Sequence, residues 1–461
     1  MFAHHLATEF ERRPEENYPE NPAYATRRAI LRKWRTVPMG FDFAKIAIPW
    51  LLGSQPTPVT AAIAATLVAF ASLMLGALGL VALVVEIAVI VVAAPFVLLV
   101  RTLRALRPVL MVTPLCYAAV SEALGRILLP FRSFLRNLGG GVQISASVFR
   151  YTFAANATLL ESISGHAEGA EYIYCHDLYC LQTAVATKLK WGGRIIYDSH
   201  EYYPYLYRYP LFFWLTHLYE RILVHFVDLY ITVSPQLAEE LKRDYQRRTV
   251  VVIPNVEPRP EAVARPTDAA LSAIAGGRLK LLYQGVFAEG RGLEEAIKEW
   301  QSVDGARAAF FLRGPPSPVR DKLEALAGKL GLLGKSVFFL PPVLERDLIS
   351  AAGEADLGLI PYKGDTKAYR FACPNKLSQY LHAGLGIVAN SIPFVRTMIE
   401  EHGIGVCYDV DKPLSFASVV NRLARDPAEV SRLRSRAAAT ARDTYHWEKY
   451  EDTLLASVAA T

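Results

Sequence analysis

The sequence is poor in cysteine, the residue on which structural metal centres and disulfide frameworks most often depend. Its 461 residues include only five cysteines, none of them in a Cys-x-x-Cys pair: Cys116, Cys175, Cys180, Cys373 and Cys407. An odd count without ligand spacing argues against a disulfide framework and against a structural zinc site. It is typical of reduced, buried thiols in the cytoplasm.

Charged side chains are also scarce. They make up 20% of the chain, whereas hydrophobic residues make up 52%, a balance that is unusual for a wholly soluble protein. The net charge of +6 is modest. Many basic residues flank one long hydrophobic run, where anionic lipid headgroups would attract them. The charge pattern therefore favours a membrane surface over nucleic acid as a partner.

The hydrophobic run covers residues 59–100 and contains a single ionisable side chain, Glu86. It is about twice the roughly 20 residues that cross a bilayer as a helix, and Gly76 and Gly79 offer a point of reversal. We predict a helical hairpin preceded by a polar tail and interfacial segment, residues 1–58. Basic residues on both sides place its ends in the cytoplasm, so the chain belongs at the inner membrane. A re-entrant hairpin and a buried helix pair are the alternatives.

From residue 171 the pattern changes to short apolar runs alternating with amphipathic stretches, which is typical of βα units. Proline residues interrupt the series at a linker, residues 254–267. The predicted strands are 171–175, 194–198, 228–233 and 249–253 before the linker, and 279–285, 308–314, 336–340, 356–362, 386–390 and 405–410 after it. We predict two α/β Rossmann-like domains, 101–255 and 256–445, with ligands at the carboxyl ends of the strands.

Glycines and basic residues follow strands of the second predicted domain. Small residues after a strand let backbone N–H groups approach a phosphate, and a lysine at a helix amino end is unfavourable unless an anion binds there. Simple solvation of the lysine and arginine side chains is the alternative. The candidate phosphate-binding residues are Gly285, Arg291, Gly292, Arg370, Pro374, Asn375 and Lys376.

Two histidine and carboxylate pairs follow successive strands of the first predicted domain. They are His176 with Asp177, directly after Cys175, and His200 with Glu201 in the segment Asp198-Ser199-His200-Glu201. Because the carboxyl ends of parallel strands meet at one edge of a sheet, we predict that both pairs face the same cleft. Such a pair can transfer a proton or hold sugar hydroxyls. Metal binding and purely structural hydrogen bonds are the alternatives.

An aromatic segment directly follows the second of these pairs. Its members with polar tips are Tyr202, Tyr203, Tyr205, Tyr207 and Trp214. Such side chains favour the membrane interface and also stack on sugar faces. We interpret them as acceptor-binding or membrane-facing residues, with packing in the domain core as the alternative.

The motifs of this chain resemble those of one family. Asp198-Ser199-His200-Glu201, Cys373-Pro374-Asn375-Lys376-Leu377 and Ala383-Gly384 occur in the order found in family 4 glycosyltransferases of the two-domain GT-B type. The resemblance extends from about residue 171 to the end of the chain. It implies sugar transfer from a nucleotide diphosphate sugar without metal or another cofactor, and a final helix, residues 446–461, that returns to the first domain. It also implies that Arg291 and Lys376 stabilise the departing phosphate.

The chain departs from the family pattern at two positions. The family's ribose-binding glutamate falls on Gln379, and its companion eight residues earlier falls on Phe371. Three hypotheses follow. The first is a transferase that extends a lipid-linked glycan or polysaccharide precursor at the cytoplasmic membrane face, with other enzymes of a glycan pathway as partners. The others are an inactive nucleotide-sugar-binding membrane subunit and a nucleotide-sugar epimerase.

Overall fold

The computed structural model describes residues 168–260 and 270–461, together with scattered positions between 137 and 163. The predicted hairpin at 59–100 and the tail before it lie outside these residues. In the part of the chain that is described, no helix has both the length and the apolar content required to cross a bilayer.

The chain divides into two compact units, Met1–Ile195 with Tyr207–Val227, and Ile196–Leu206 with Asp228–Thr461. The first unit holds strand β1 and helices α1 and α2, which are Tyr172–His176, Leu178–Trp191 and Pro210–Val224. Within this unit, the buried Tyr219 hydroxyl of α2 donates to Gln182 Oε1 of α1 over 2.8 Å. This contact joins α1 to α2.

The second unit contains a parallel series of three strands in the order β2, β3, β4. Their bounds are Arg194–Ser199, Leu229–Thr232 and Val251–Val252, with the first strand entering this unit at Ile196. Helix α3, Pro235–Tyr245, follows β3, and its first turn is capped by the Ser234 hydroxyl, which accepts from the Leu237 amide. The sequence predictions for these strands are confirmed, although β2 ends one residue later than predicted and β3 and β4 are shorter at both ends.

A six-stranded parallel sheet forms the rest of this unit, in the order β10-β9-β8-β5-β6-β7. All six strands were expected from the apolar runs, since strands covered on both faces are almost continuously hydrophobic. Trp300, Phe310 and Phe416 are fully buried beside the sheet. The strands are β5 Leu279–Gln284, β6 Ala308–Arg313, β7 Val337–Leu340, β8 Leu357–Ile360, β9 Gly386–Asn390 and β10 Gly405–Tyr408.

Helices alternate with these strands, which confirms the α/β class. The helices of this region are α4 Ala270–Ala275, α5 Leu293–Glu299, α6 Pro318–Lys329, α7 Leu348–Ala352, α8 Lys367–Arg370, α9 Asn375–His382, α10 Pro393–His402, α11 Ser415–Leu423, α12 Pro427–Asp443 and α13 Trp447–Ala459. Short 3₁₀ turns lie at Tyr203–Tyr205, Trp300–Ser302 and Glu345–Asp347.

The last helix, α13, packs on the three-stranded series rather than on the six-stranded sheet that precedes it in the chain. Its apolar side chains, which include Trp447 and Leu454, cover a buried cluster formed by Ile196, Ile231 and their neighbours. The start of the helix is held by the linker, since the Trp447 amide donates to the Glu257 carbonyl over 2.9 Å. The resemblance to family 4 glycosyltransferases likewise implies a final helix that returns to the first predicted domain.

Two adjacent leucines of α13 give a matched test of this packing. Leu454 contacts the buried cluster, whereas Leu455 is 59% exposed. We expect Leu454→Ala to lower the free energy of unfolding by about 1–2 kcal/mol, because it removes half-buried apolar area. Leu455→Ala should change it by less than about 0.5 kcal/mol. Chemical denaturation measures both, and equal effects would show that α13 does not hold the cluster.

Candidate functional site

The backbone after β5 is shaped by glycines at the carboxyl end of the sheet. Gly285 has a φ of 140° and Gly292, just before α5, has a φ of 77°, conformations that L side chains rarely adopt. A Cβ at Gly285 would lie 2.5 Å from Lys376 Nζ, and one at Gly292 would overlap the Pro361 carbonyl oxygen. Gly285 therefore lets Lys376 approach the end of β5 closely, and Gly292 lets the loop before α5 approach the Pro361 carbonyl.

Arg291 lies in this loop within a group of tyrosines. Its Nη1 donates to the Tyr362 hydroxyl over 2.7 Å, and the guanidinium carbon lies 4.9 Å from the centroid of that ring. Tyr283 and Tyr369 also interact electrostatically with it. Burial opposes the charge, but the hydroxyls and the Glu201 carboxylate outweigh it and raise the pKa of Arg291. The guanidinium therefore stays charged.

Lys376 is the second residue of α9, which begins one residue after Pro374. Its side chain is buried, and its Nζ lies 5.1 Å from the centroid of the Tyr283 ring. Burial, and secondly the charge of Arg291, hold the pKa of Lys376 well below its usual value. Lys376 thus lies where Arg291 already makes the electrostatic potential positive. Two basic groups in this arrangement suit a multiply charged anion.

The remaining donor-side candidates lie close to Lys376 in the chain. Gln379 is half-buried on the next turn of α9, on the same helical face, while Asn375 and Arg370 are exposed. Phe371 is half-buried, and its carbonyl accepts a 3.0 Å hydrogen bond from Ser234 Oγ. The Gln379 amide therefore lies on the same helical face as Lys376. The Phe371 phenyl group occupies a position at which the family has a carboxylate.

His200 is paired with Asp198, one of the two carboxylates in its sequence cluster. Its Nε2 lies 3.1 Å from Oδ2 of the buried Asp198. The signal was available, because residues two apart at a strand end point to the same face. Glu201 is exposed, and its carboxylate stabilises the positive charge of Arg291. His176 is in the first unit, exposed at the end of β1.

Asp177 follows at the start of α1, with a positive φ of 65°. Its side chain makes no capping hydrogen bond to that helix. A left-handed conformation at a residue other than glycine is uncommon, and aspartate is one of the residues that tolerate it. Asp177 therefore accounts for the turn between β1 and α1.

The aromatic segment separates into buried and exposed members. Tyr202 and Tyr203 are buried, and the Tyr202 hydroxyl donates to Asp244, so for these two the core-packing alternative holds. Tyr205 and Tyr207 are half-buried. Trp214, on α2, is 66% exposed. Of the five tyrosine and tryptophan candidates, Trp214 has the exposure that a membrane-facing role requires.

Sequence reasoning missed a basic residue that holds the loop before α9. Lys367, the first residue of α8, places its Nζ 2.8 Å from Glu240 Oε2 of α3 and 4.7 Å from the Tyr205 ring centroid. Hydrogen bonding to Lys367 and Arg243 lowers the pKa of Glu240 although burial opposes this. The pair could not be found from spacing, since its members are 127 residues apart in the chain.

A cavity of about 760 Å³ lies at the opposite, amino end of the six-stranded sheet. Four basic residues line it, and each already has a partner. Lys280 and Arg434 contact Asp356, and the other two, Arg278 and Arg307, bind backbone carbonyls and Asp304 respectively. The basic groups of this cavity are therefore already engaged by protein partners.

Two family descriptions match the chain. Residues 119–256 match "Glycosyltransferase Family 4", and residues 278–426 match "Glycosyl transferases group 1". A curated relative, the D-inositol 3-phosphate glycosyltransferase of Xylanimonas cellulosilytica, is 30% identical over 193 residues. This match covers 41% of the present chain and 42% of the relative's length.

Solved structures show a similar fold. Anabaena HepE in complex with UDP superposes with a TM-score of 0.56 at 13% identity, over 67% of this chain and 82% of HepE. A UDP-forming trehalose-phosphate synthase from Burkholderia vietnamiensis gives a TM-score of 0.54 at 18% identity, over 68% and 80% of the two chains. The solved structures show a GT-B-like fold, and the two family matches support a family 4 glycosyltransferase.

The burial of Lys376 predicts an effect on stability in the absence of ligand. In the unfolded chain this lysine has its ordinary pKa of 10.5. Between the lowered folded-state pKa and that value, the unfolded chain binds a proton that the folded protein lacks, so stability rises with pH. Lys376→Met removes this cost, and we expect it to raise Tm at neutral pH by roughly 2–6 °C.

The gain should shrink as the pH approaches 10, since the unfolded lysine then also loses its proton. Lys322→Met is the control, because that side chain is 70% exposed. A surface change of this kind should alter stability by less than about 0.5 kcal/mol. A lower Tm for Lys376→Met than for the wild type would contradict the lowered pKa.

Proposed function

We propose that this protein transfers a sugar from a nucleotide diphosphate sugar to a lipid-linked or polysaccharide-precursor acceptor at the cytoplasmic face of the membrane. The observation that carries the proposal is the position of Arg291 and Lys376 at the carboxyl end of the six-stranded sheet. In such folds ligands bind at this edge. The two neighbouring basic groups, with the backbone of Gly285 between β5 and α9, suit a diphosphate.

In the proposed reaction an acceptor hydroxyl forms a bond to the anomeric carbon of the donor sugar. The bond from that carbon to the diphosphate oxygen breaks, and the electron pair leaves with the nucleoside diphosphate. Arg291 and Lys376 stabilise the charge that develops on the departing oxygen. We propose that the positive charge of these two groups in the occupied site serves without a metal ion or another cofactor.

His200 is the candidate for handling hydroxyl groups. Asp198 holds its Nε2 at 3.1 Å and so fixes the orientation of the ring. A histidine held in this way can orient a sugar hydroxyl or accept its proton. Glu201 follows His200 in the chain, and its carboxylate favours the charge on Arg291. The loop that carries His200 therefore also interacts with the proposed diphosphate site.

The amide at Gln379 and the phenyl group at Phe371 favour a second candidate function. The family's two carboxylates would respectively bind the ribose and hold the donor sugar, and neither is present. An amide still hydrogen-bonds hydroxyls, whereas a phenyl group cannot. A subunit that binds a nucleotide sugar without transferring it is therefore the alternative that these residues support.

Two features support a membrane acceptor. The run at 59–100 is long enough for a membrane hairpin. In the first unit, α2 exposes Trp214 and, one turn later, Leu218, which is 46% exposed, beside the exposed Arg221. An apolar stripe with tryptophan and a basic residue suits the headgroup region of a bilayer.

Sugar transfer tests the proposal directly. The full chain, purified in detergent, is incubated with labelled UDP-, GDP- and ADP-sugars, with and without lipid extract from its host. We expect nucleotide release that depends on lipid, with label in the organic phase. Nucleotide binding without release would favour the inactive subunit, and conversion of the donor without acceptor would favour an epimerase.

Replacement of the two basic residues tests the donor side. We expect Arg291→Ala and Lys376→Ala each to weaken binding of the nucleoside diphosphate about 10- to 100-fold, as loss of a charged hydrogen bond does. Lys322→Ala is the control. Unchanged affinity in both site variants would remove these residues from the diphosphate site.

Tryptophan quenching tests the membrane-facing role of α2. The full chain is reconstituted in bilayers that contain lipids brominated on the acyl chain, which quench nearby tryptophans. We expect Trp214→Phe to reduce the quenchable fluorescence, whereas Trp300→Phe, at a fully buried position, leaves it unchanged. An unaltered quenchable fraction in Trp214→Phe would show that α2 does not face the bilayer.

A further inference from the structure

Lys376 occupies an environment that opposes a positive charge. Its side chain is 8% exposed. Across the residues that the structure describes, its amine makes no hydrogen bond and no ion pair, and its recorded contact is with the face of the Tyr283 ring, 5.1 Å away. A buried ammonium without an anionic partner loses much of its hydration and receives little in return.

Two further effects act in the same direction. Arg291, which stays charged, lowers the pKa of Lys376 through repulsion, after burial as the larger cause. Lys376 is also the second residue of α9, where the helix dipole is positive and disfavours a cation. Burial, a neighbouring cation and the helix amino end therefore all favour the neutral amine.

The other titratable groups around Lys376 do not offset this preference for the neutral amine. Tyr283 approaches from β5, and its pKa is raised by burial, so its hydroxyl stays neutral. Tyr362 and Tyr369, which interact with Arg291, have raised pKa values for the same reason. On α9 itself, burial raises the pKa of Tyr380 and lowers that of His382, so both stay uncharged.

A nucleoside diphosphate would reverse the balance. Its oxygens would give the amine the anionic partner that the site lacks, and its charge would offset that of Arg291 and of the helix amino end. We propose that Lys376 is uncharged in the empty site and takes up one proton from solvent when a nucleoside diphosphate binds. This inference rests on the proposed function, since it assigns the diphosphate to the Arg291 and Lys376 site.

The proton balance has a consequence for the reaction cycle. Binding converts the amine and one solvent proton into an ammonium, which donates to the diphosphate, and release of the nucleoside diphosphate returns the proton. Affinity therefore falls as the pH rises between the empty-site and occupied-site pKa values of Lys376. Within that range each pH unit weakens binding by up to about tenfold.

Titration calorimetry of the full chain with UDP, GDP and ADP tests the inference. It is carried out in buffers that differ in ionisation enthalpy. The pH is kept near 8.5, because histidine and the phosphate groups have about completed their titration there. The slope of observed enthalpy against buffer ionisation enthalpy counts the protons exchanged. We expect an uptake of about one half to one proton per bound nucleotide.

Two variants assign the proton. Lys376→Gln cannot ionise, and at raised nucleotide concentration it should bind without proton uptake. Lys363→Gln is the matched control, because Lys363 lies nearby but is paired with Glu295 at 2.7 Å. It should retain the wild-type uptake.

The outcomes separate this inference from the proposed function. Absence of binding by all three nucleotides would overturn both. Binding by the wild type without proton uptake would overturn this inference alone. Uptake that persists in Lys376→Gln would place the proton on another group and so overturn the assignment to Lys376.

Discussion

The close approach of two basic groups at the carboxyl end of one sheet is the constraint on which the candidate site depends. Arg291 keeps its charge because three tyrosine hydroxyls and the Glu201 carboxylate surround it. Lys376 has no comparable set of partners in the described part of the chain, and the charge of Arg291 acts against it. An anion that binds both groups offsets the charge of Arg291, so the ammonium form of Lys376 is disfavoured in the empty site and favoured in the occupied one.

Local backbone geometry makes this approach possible. Gly285 has a left-handed conformation and no side chain, so the Lys376 amine can lie against the end of β5. Gly314 packs on the Gly285 carbonyl from the next strand, where a Cβ would overlap it. The parallel sheet brings these strand ends to one edge, as in other doubly wound folds. Because these glycines have no side chains, they leave room for the Lys376 amine at Gly285 and for the Gly285 carbonyl at Gly314.

Longer-range contacts hold the loops around the site. Lys367 binds Glu240, Ser234 donates to the Phe371 carbonyl, and the Asn255 amide donates to the Cys373 carbonyl over 2.8 Å. All three contacts join the segment 366–373 to residues more than a hundred positions earlier. They set the path of the chain into α9 and hence the position of Lys376. Burial, with opposing contributions from Tyr445 and Asn255, raises the pKa of Cys373 to about 11, which is consistent with a structural thiol.

The amino-acid sequence by itself determined the α/β class, the strands of the six-stranded sheet and the positions of Gly285, Arg291 and Lys376 at strand ends and a helix start. These follow from local patterns, because apolar runs, glycines and helix-opening residues act within a few positions of each other. The hydrophobic run at 59–100 is equally plain in the sequence, although its structure lies outside the described residues.

Only the tertiary structure decided which side chains meet. It buried Tyr202 and Tyr203 while leaving Trp214 exposed, and placed Glu240 against Lys367. It also showed that the Lys376 amine is buried beside Arg291. Burial and charge interaction depend on distances between residues remote in the chain, and periodicity or spacing carries no information about those distances.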